Sequence, residues 1–167
     1  EGYLKTIGLS EGELGPIGRV RALTYKTQTV GTDTIYNVGT ETVYRHDDNS
    51  GAITTGYAYD WYEGTFQLRQ RTTSLPVVEA DENGRGEKPT TEAHYNLWGL
   101  MERSVDERRT ATAYQYDQAL GGMTRMIRDE GGLNLTTDYQ LDGRGRRIRT
   151  LDPAHLTTFY NSIDFGS

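Results

Sequence analysis

The sequence predicts an all-β fold of antiparallel hairpins repeated along the chain and stacked in series. Three observations lead there. Period-two alternation dominates, as in Thr40-Glu41-Thr42-Val43-Tyr44-Arg45 and Thr65 to Thr72. Turn signals such as Asp117 to Gly122, Asp129-Glu130-Gly131-Gly132, Asp142-Gly143-Arg144-Gly145 and Asp152-Pro153 recur every 8 to 12 residues. A phrase also repeats: a Thr lead, a tyrosine strand, Asp or Asn, a turn, and an Arg-bearing strand. Its clearest copies are Thr112-Ala113-Tyr114-Gln115-Tyr116-Asp117 and Thr137-Asp138-Tyr139-Gln140-Leu141-Asp142, 25 residues apart. Weaker copies are Thr54 to Asp60, Thr90 to Asn96 and Thr157 to Asn161, and Tyr95 precedes Tyr116 by 21 residues. A period of that length marks one small structural unit used again and again.

The elements follow in order. Residues 1–43 show the phrase poorly, and Gly8, Gly12, Gly15, Pro16 and Gly18 suggest loops between short strands such as Val20 to Lys26. We read this as an N-terminal segment of the same body, with hairpin repeats over 44–167. Thr40 to Arg45 is a strand, His46 to Gly51 a turn and Ala52 to Tyr59 the return, placing Tyr57 and Tyr59 on one face. Glu63-Gly64 breaks the chain before the strand Thr65 to Thr72, with Phe66 and Leu68 sharing a face. Pro76 to Pro89 is an exposed loop. Leu100 to Arg109 has a poor apolar stripe and reads as strand and turn rather than helix. Met123 to Arg128, Leu133 to Leu141 and Arg146 to Leu151 are extended.

Composition narrows the function. The 167 residues suffice for one domain, yet only 34% are hydrophobic, and mean hydropathy is −0.74. Tyrosine carries the apolar load, 12 against 3 Phe and 2 Trp, which suits half-wet sheets because the ring's polar tip still needs a partner. The net charge of −6 is interspersed, so a basic nucleic-acid face is not expected. Without cysteine there are no disulfides or thiolate metal sites. No run of about 18 apolar residues is present to span a membrane. No signal peptide is read, and with Glu1 in first place the expectation is a mature or internal segment.

Several patterns invite chemistry. Gly8-Leu9-Ser10-Glu11-Gly12 fits the nucleophile pattern G-x-S-x-G, with His94 or His155 as formal bases, but no helix pattern follows. Asp47-Asp48-Asn49-Ser50-Gly51 resembles a calcium loop, but Ala58 stands where the bidentate Glu belongs; an Asx-rich turn is the simpler account. His46, His94 and His155 lack metal-ligand spacing. Arg144, Arg146, Arg147 and Arg149 lack a phosphate loop's lysine and helix, so they are expected on a strand face, paired with carboxylates of the next hairpin. The tyrosines 57, 59, 62, 95, 114, 116, 139 and 160 pack against neighbouring repeats or, exposed in a row, stack on sugar rings. Asn134-Leu135-Thr136 is a glycosylation sequon that matters only in a eukaryotic secretory route. No cofactor or metal is expected, and no catalytic residue is assigned.

Tyr59-Asp60, Tyr95-Asn96 and Tyr116-Asp117, each leading to a turn and a strand, together with Gly143-Arg144, Ile148 and Asp152-Pro153, resemble the YD-repeat or RHS-repeat family. The likeness covers roughly Tyr44 to Tyr160. Leu141 stands where a tyrosine is expected, Asn96 and Asn161 where Asp is, and His155 in place of the glycine of the Asp-Pro turn; no self-cleaving core segment is found. The resemblance implies a β-hairpin spiral that winds into a hollow shell, as in bacterial toxins, or serves adhesion in animal cell-surface proteins. It implies a secreted or surface-attached bacterial scaffold without enzymatic activity. In it Tyr57, Tyr59, Tyr95, Tyr114, Tyr116, Tyr139 and Tyr160 pack between repeats, while Asp60, Asn96, Asp117 and Asp142 serve the turns. Expected partners are other repeats of the same polypeptide or further copies, with carbohydrate or an enclosed cargo as other ligands. An extracellular fibre subunit and a carbohydrate-binding module are the alternatives. A hairpin of about 20 residues cannot satisfy its own edges, so neighbours are required.

Overall fold

The computed structural model describes residues 2–160 except Glu11, Glu13, Leu14, Pro16, Asp47 and Arg85. It is all-β, with one 3₁₀ turn at Ala80–Glu82 among the described residues. The strands are β1 Thr6–Ser10, β2 Ile17–Val30, β3 Asp33–Tyr44, β4 Ala52–Trp61, β5 Leu68–Ser74 and β6 Thr90–Tyr95. They continue with β7 Met101–Val105, β8 Ala111–Tyr116, β9 Met123–Arg128, β10 Leu135–Leu141, β11 Arg147–Leu151 and β12 Thr157–Phe159. Within each unit, sheet order follows chain order. The chain divides into two compact units, Glu1–Glu92 with Leu97–Gly99, and Ala93–Asn96 with Leu100–Ser167.

In the first unit the longest hairpin lies where the sequence suggested loops between short strands. β2 and β3 pair from Arg21↔Val43 to Val30↔Asp33 and turn on two residues, Gly31 and Thr32. Gly31 has φ +60°, which a tight hairpin turn of this kind demands of its first residue. Threonine replaces apolar residues on these strands, so the hydrophobic alternation that usually reveals a strand is muted. Its hydroxyls pair across register partners instead: Thr24 with Thr40 at 2.6 Å, Thr29 with Thr34 at 2.9 Å and Thr42 with Thr54 at 2.9 Å. Each such pair contributes roughly 0.2–1 kcal/mol. The strand expected from Thr65 begins instead at Leu68, because Thr65 belongs to the turn. Its backbone N–H and hydroxyl both donate to the Tyr62 carbonyl, and the hydroxyl accepts from Gln67 N–H. Phe66 is thereby outside β5. Loop 75–89 closes on itself through Leu75 N–H to Pro89 O, Gly84 N–H to Glu79 O and Gly86 N–H to Val78 O.

In the second unit β7 to β12 are 3 to 7 residues long, and each is antiparallel to the next. The 25-residue phrase has a structural counterpart. Register shifts fall between Gln115 and Tyr116 and between Gln140 and Leu141, at the same place in both copies. The strand expected from Leu133 starts at Leu135, since Leu133 and Asn134 complete a turn, with Asn134 at φ +52°.

Strand contacts within each unit join chain neighbours. Burial is correspondingly shallow. Ala93, Val105 and Ala111 are the buried apolar side chains among the described residues, with Thr137 the buried polar one, and no large side chain is fully enclosed. Both units therefore present half-covered sheet faces.

Candidate functional site

The regular feature of the second unit is its turns. Six consecutive connections open on Asp or Asn: Asn96, Asp106, Asp117, Asp129, Asp142 and Asp152. Asp106, Asp142 and Asp152 share one bonding pattern, and Asn96 shares its N–H bond to the carbonyl four residues on (Leu100) and its positive φ at the third residue (Gly99, +78°). Asp106, Asp142 and Asp152 each donate their backbone N–H to the carbonyl four residues on, Thr110, Arg146 and Leu156. Each carboxylate oxygen accepts from the backbone N–H two and four residues on, at 2.7–2.9 Å. The third residue after the acid takes positive φ: Arg109 +66°, Gly145 +77° and His155 +63°. Asn96 accepts from Leu100 N–H at 3.0 Å, and Asp117 from Ala119 and Leu120 N–H at 2.9 Å. Asp129 closes its turn through Leu133 N–H at 2.8 Å. An acceptor that folds back on its own backbone is what makes Asp and Asn favoured in turns. Arg146 Nε donates to the second Asp142 oxygen at 2.7 Å. These bonds, the Arg146 backbone N–H foremost, hold the Asp142 carboxyl below the usual carboxylate range.

Neighbouring turns of the second unit also fit together. A Cβ on Gly122 would lie 2.6 Å from Leu141 Cδ1 and 3.3 Å from Gly145 O. Leu141, the residue that breaks the tyrosine phrase, thus fills space that Gly122 leaves.

The tyrosines occupy the strands. Tyr57 and Tyr59 lie opposite Thr73 and Arg71, Tyr114 and Tyr116 opposite Met126 and Met123, and Tyr139 opposite Thr150. With Tyr95 at the end of β6, these six are half-buried, whereas Tyr160 is 46% exposed. Two equivalents behave alike. Tyr59 and Tyr116, each just before an Asp, donate their hydroxyls to a backbone carbonyl of the preceding strand, Val38 and Met101, both at 2.8 Å. Burial pushes both hydroxyls above the ordinary tyrosine value. Tyr114 shares a 3.2 Å hydrogen bond with Ser104. Tyr59 also stacks on Trp61, with centroids 6.0 Å apart.

Asp60 lies within β4 rather than in the turn and forms an ion pair with Arg69. Within the arginine run, Arg147 and Arg149 meet aromatic rings where carboxylates were expected. Arg146 pairs with Asp142 inside its own turn. Arg147 sits 3.9 Å from the centre of the Tyr139 ring, and Arg149 5.8 Å from that of Phe159. Aromatic faces outcompete carboxylates there because the planar guanidinium is weakly hydrated and stacks well. Cross-hairpin ion pairs come from other residues, Arg125 with the register partner Asp138 at 2.6 Å and Arg103 with Glu130 at 2.9 Å.

Ser10 ends β1, and its hydroxyl donates to the Gly12 or Gly15 carbonyl, at 2.8 and 3.0 Å; Glu11 and Pro16 lie outside the described residues. Asp47 also lies outside them, while Asp48 accepts from Ser50 N–H and Asn49 from Arg19 N–H. Asn161, the last turn residue of the repeat phrase, lies outside them as well. Among the described residues no three His, Asp or Glu side chains group as a metal site. Sequence reasoning left Asp106 unassigned. No glycine marks its turn, and Arg109 takes the left-handed conformation instead, so the remaining signal was the spacing of about ten residues to its neighbours.

No protein-family model matches the chain, and no curated protein matches it.

Proposed function

We propose that this chain is a non-enzymatic structural protein, a segment of β-sheet wall of the YD- or RHS-repeat kind, in a secreted or surface-attached bacterial polypeptide. The coincidence of bulge and Asp turn in the two 25-residue copies carries this reading. A register shift and an acid-led turn at the same place in both copies let one hairpin follow another in like fashion, and that is the requirement for a wall of any length. The tyrosines support it in a second way. Tyr59 and Tyr116 spend their hydroxyls on the strand before them, so each strand is completed by its neighbour. The half-covered faces belong to a lining or enclosure better than to a free-standing globule. Partners under this reading are further hairpins of the same polypeptide or copies of this chain.

Electron microscopy of the intact particle tests the proposal. A wall of this kind gives a thin-walled hollow or curved object. Small solid beads with uniform density overturn it.

A further inference from the structure

A cavity of about 580 Å³ lies in the first unit, where residues 3–5 run beside β2 and the Tyr3 ring reaches Tyr36 of β3. That volume is within the range of ligand pockets. Three tyrosine rings meet in it. Tyr3 lies 4.7 Å from Tyr36 and 5.3 Å from Tyr25, measured between ring centres, at tilts of 39° and 52°. Two bonds fix this segment. Tyr25 donates its hydroxyl to Leu4 O at 2.6 Å, and Leu23 N–H donates to Lys5 O at 2.8 Å. Tyr3 and Tyr36 nevertheless remain 50% and 45% exposed.

Four polar groups around these rings are unspent. The hydroxyls of Tyr3, Tyr36 and Thr27 and the Lys5 ammonium make no hydrogen bond or ion pair among the described residues. Rings packed only for stability would bury their faces and satisfy their tips. Here half-exposed rings and free donors converge on one hollow instead. No carboxylate lines it among the described residues, and Lys5 is its one charged group, so a cationic ligand is disfavoured. The net charge of −6 repels anions at long range, but that field is screened beyond about 8 Å at physiological ionic strength, which leaves Lys5 to decide locally.

We infer that this tyrosine-lined hollow binds an acidic saccharide. A pyranose C–H face lies on the Tyr3 and Tyr36 rings, hydroxyls bond Thr27 and the tyrosine tips, and a uronate carboxylate meets Lys5. These tyrosines lie outside the repeat phrase, so the site is independent of the wall reading, which microscopy tests separately.

Titration calorimetry of the whole chain with tri-galacturonate, and with maltotriose as neutral comparison, tests it. Saturable one-to-one binding that favours the acidic sugar is expected. Tyr36→Ala should weaken it about tenfold. Lys5→Gln, an exposed change outside any strand, should erase the acidic preference while a circular dichroism spectrum stays unchanged. Absence of saturable heat with the acidic sugar overturns the inference. So does binding that both variants leave intact, or a wild-type dimer that Tyr36→Ala disperses, since the patch would then be a protein contact.

Discussion

Hairpin β2–β3 pairs strands of 14 and 12 residues and turns on two, whereas the hairpins from β7 to β12 use strands of 3 to 7 residues and turn on Asp-led loops. The first is held along its length, by a ladder of register pairs that includes the threonine pairs Thr24–Thr40 and Thr29–Thr34. The others are held at their ends, by acids that fold back on the turn backbone. A long ladder can distribute stabilisation over many weak pairs. A short strand has few rungs, so each turn must fix its own geometry. Repetition belongs to the second design, because an acid that bonds its own turn backbone carries that geometry wherever the phrase recurs.

The largest effect is expected where adjacent turns of the second unit interlock. Gly122→Val forces side-chain carbons onto Leu141 and the Gly145 carbonyl and should cost about 2 kcal/mol in urea denaturation. Gly143→Ala, where an added Cβ meets nothing, should be close to neutral. Equal losses at both positions would end the interlocking account.

Next come the turns against the rungs. Asp106→Ala removes the acceptor for Arg108 and Thr110 N–H and should cost about 1–2 kcal/mol, while Thr29→Ala in the long hairpin should cost about 0.5 kcal/mol. Thermal melts with hydrogen exchange check this, and the reverse order would dissolve the contrast between the two designs. Tyr59→Phe and Tyr116→Phe probe what the units share. Each strands one backbone carbonyl and should cost about 1 kcal/mol, equally in both.

The smallest effect is one of pH. The Asp142 carboxyl titrates below its usual range in the fold, so its contribution to stability is present above the ordinary value of about 3.9 and is lost as pH falls through the lower folded value. Asp142→Asn keeps an acceptor for the turn, as Asn96 does, and should flatten the acid limb of the stability profile. An unchanged acid limb would show that other carboxylates set it.

Much of the second unit was legible in the sequence because its signals are local. Asp117 and Asp142 announce turns through their own chemistry, and the offset between Tyr114 and Tyr139 is the repeat itself. The long hairpin hid because Thr24, Thr29, Thr34, Thr40 and Thr42 make strands without hydrophobic contrast. Thr65 looked like strand because β-branched residues favour strands, yet its hydroxyl prefers the turn backbone. The Arg147 contact with Tyr139 and the cluster of Tyr3, Tyr25 and Tyr36 depend on register and on how residues 3–5 run beside β2, neither of which a sequence pattern carries.

Edges give the most direct test. Among the described residues β1 and β12 each have a single strand neighbour, and so few buried side chains leave little core to compensate. Sedimentation velocity across micromolar concentrations should show association that grows with concentration, as sheets of this kind find further hairpins to pair with. A single sharp monomer boundary at every concentration would mean these hairpins are complete without neighbours, and the wall reading would fall.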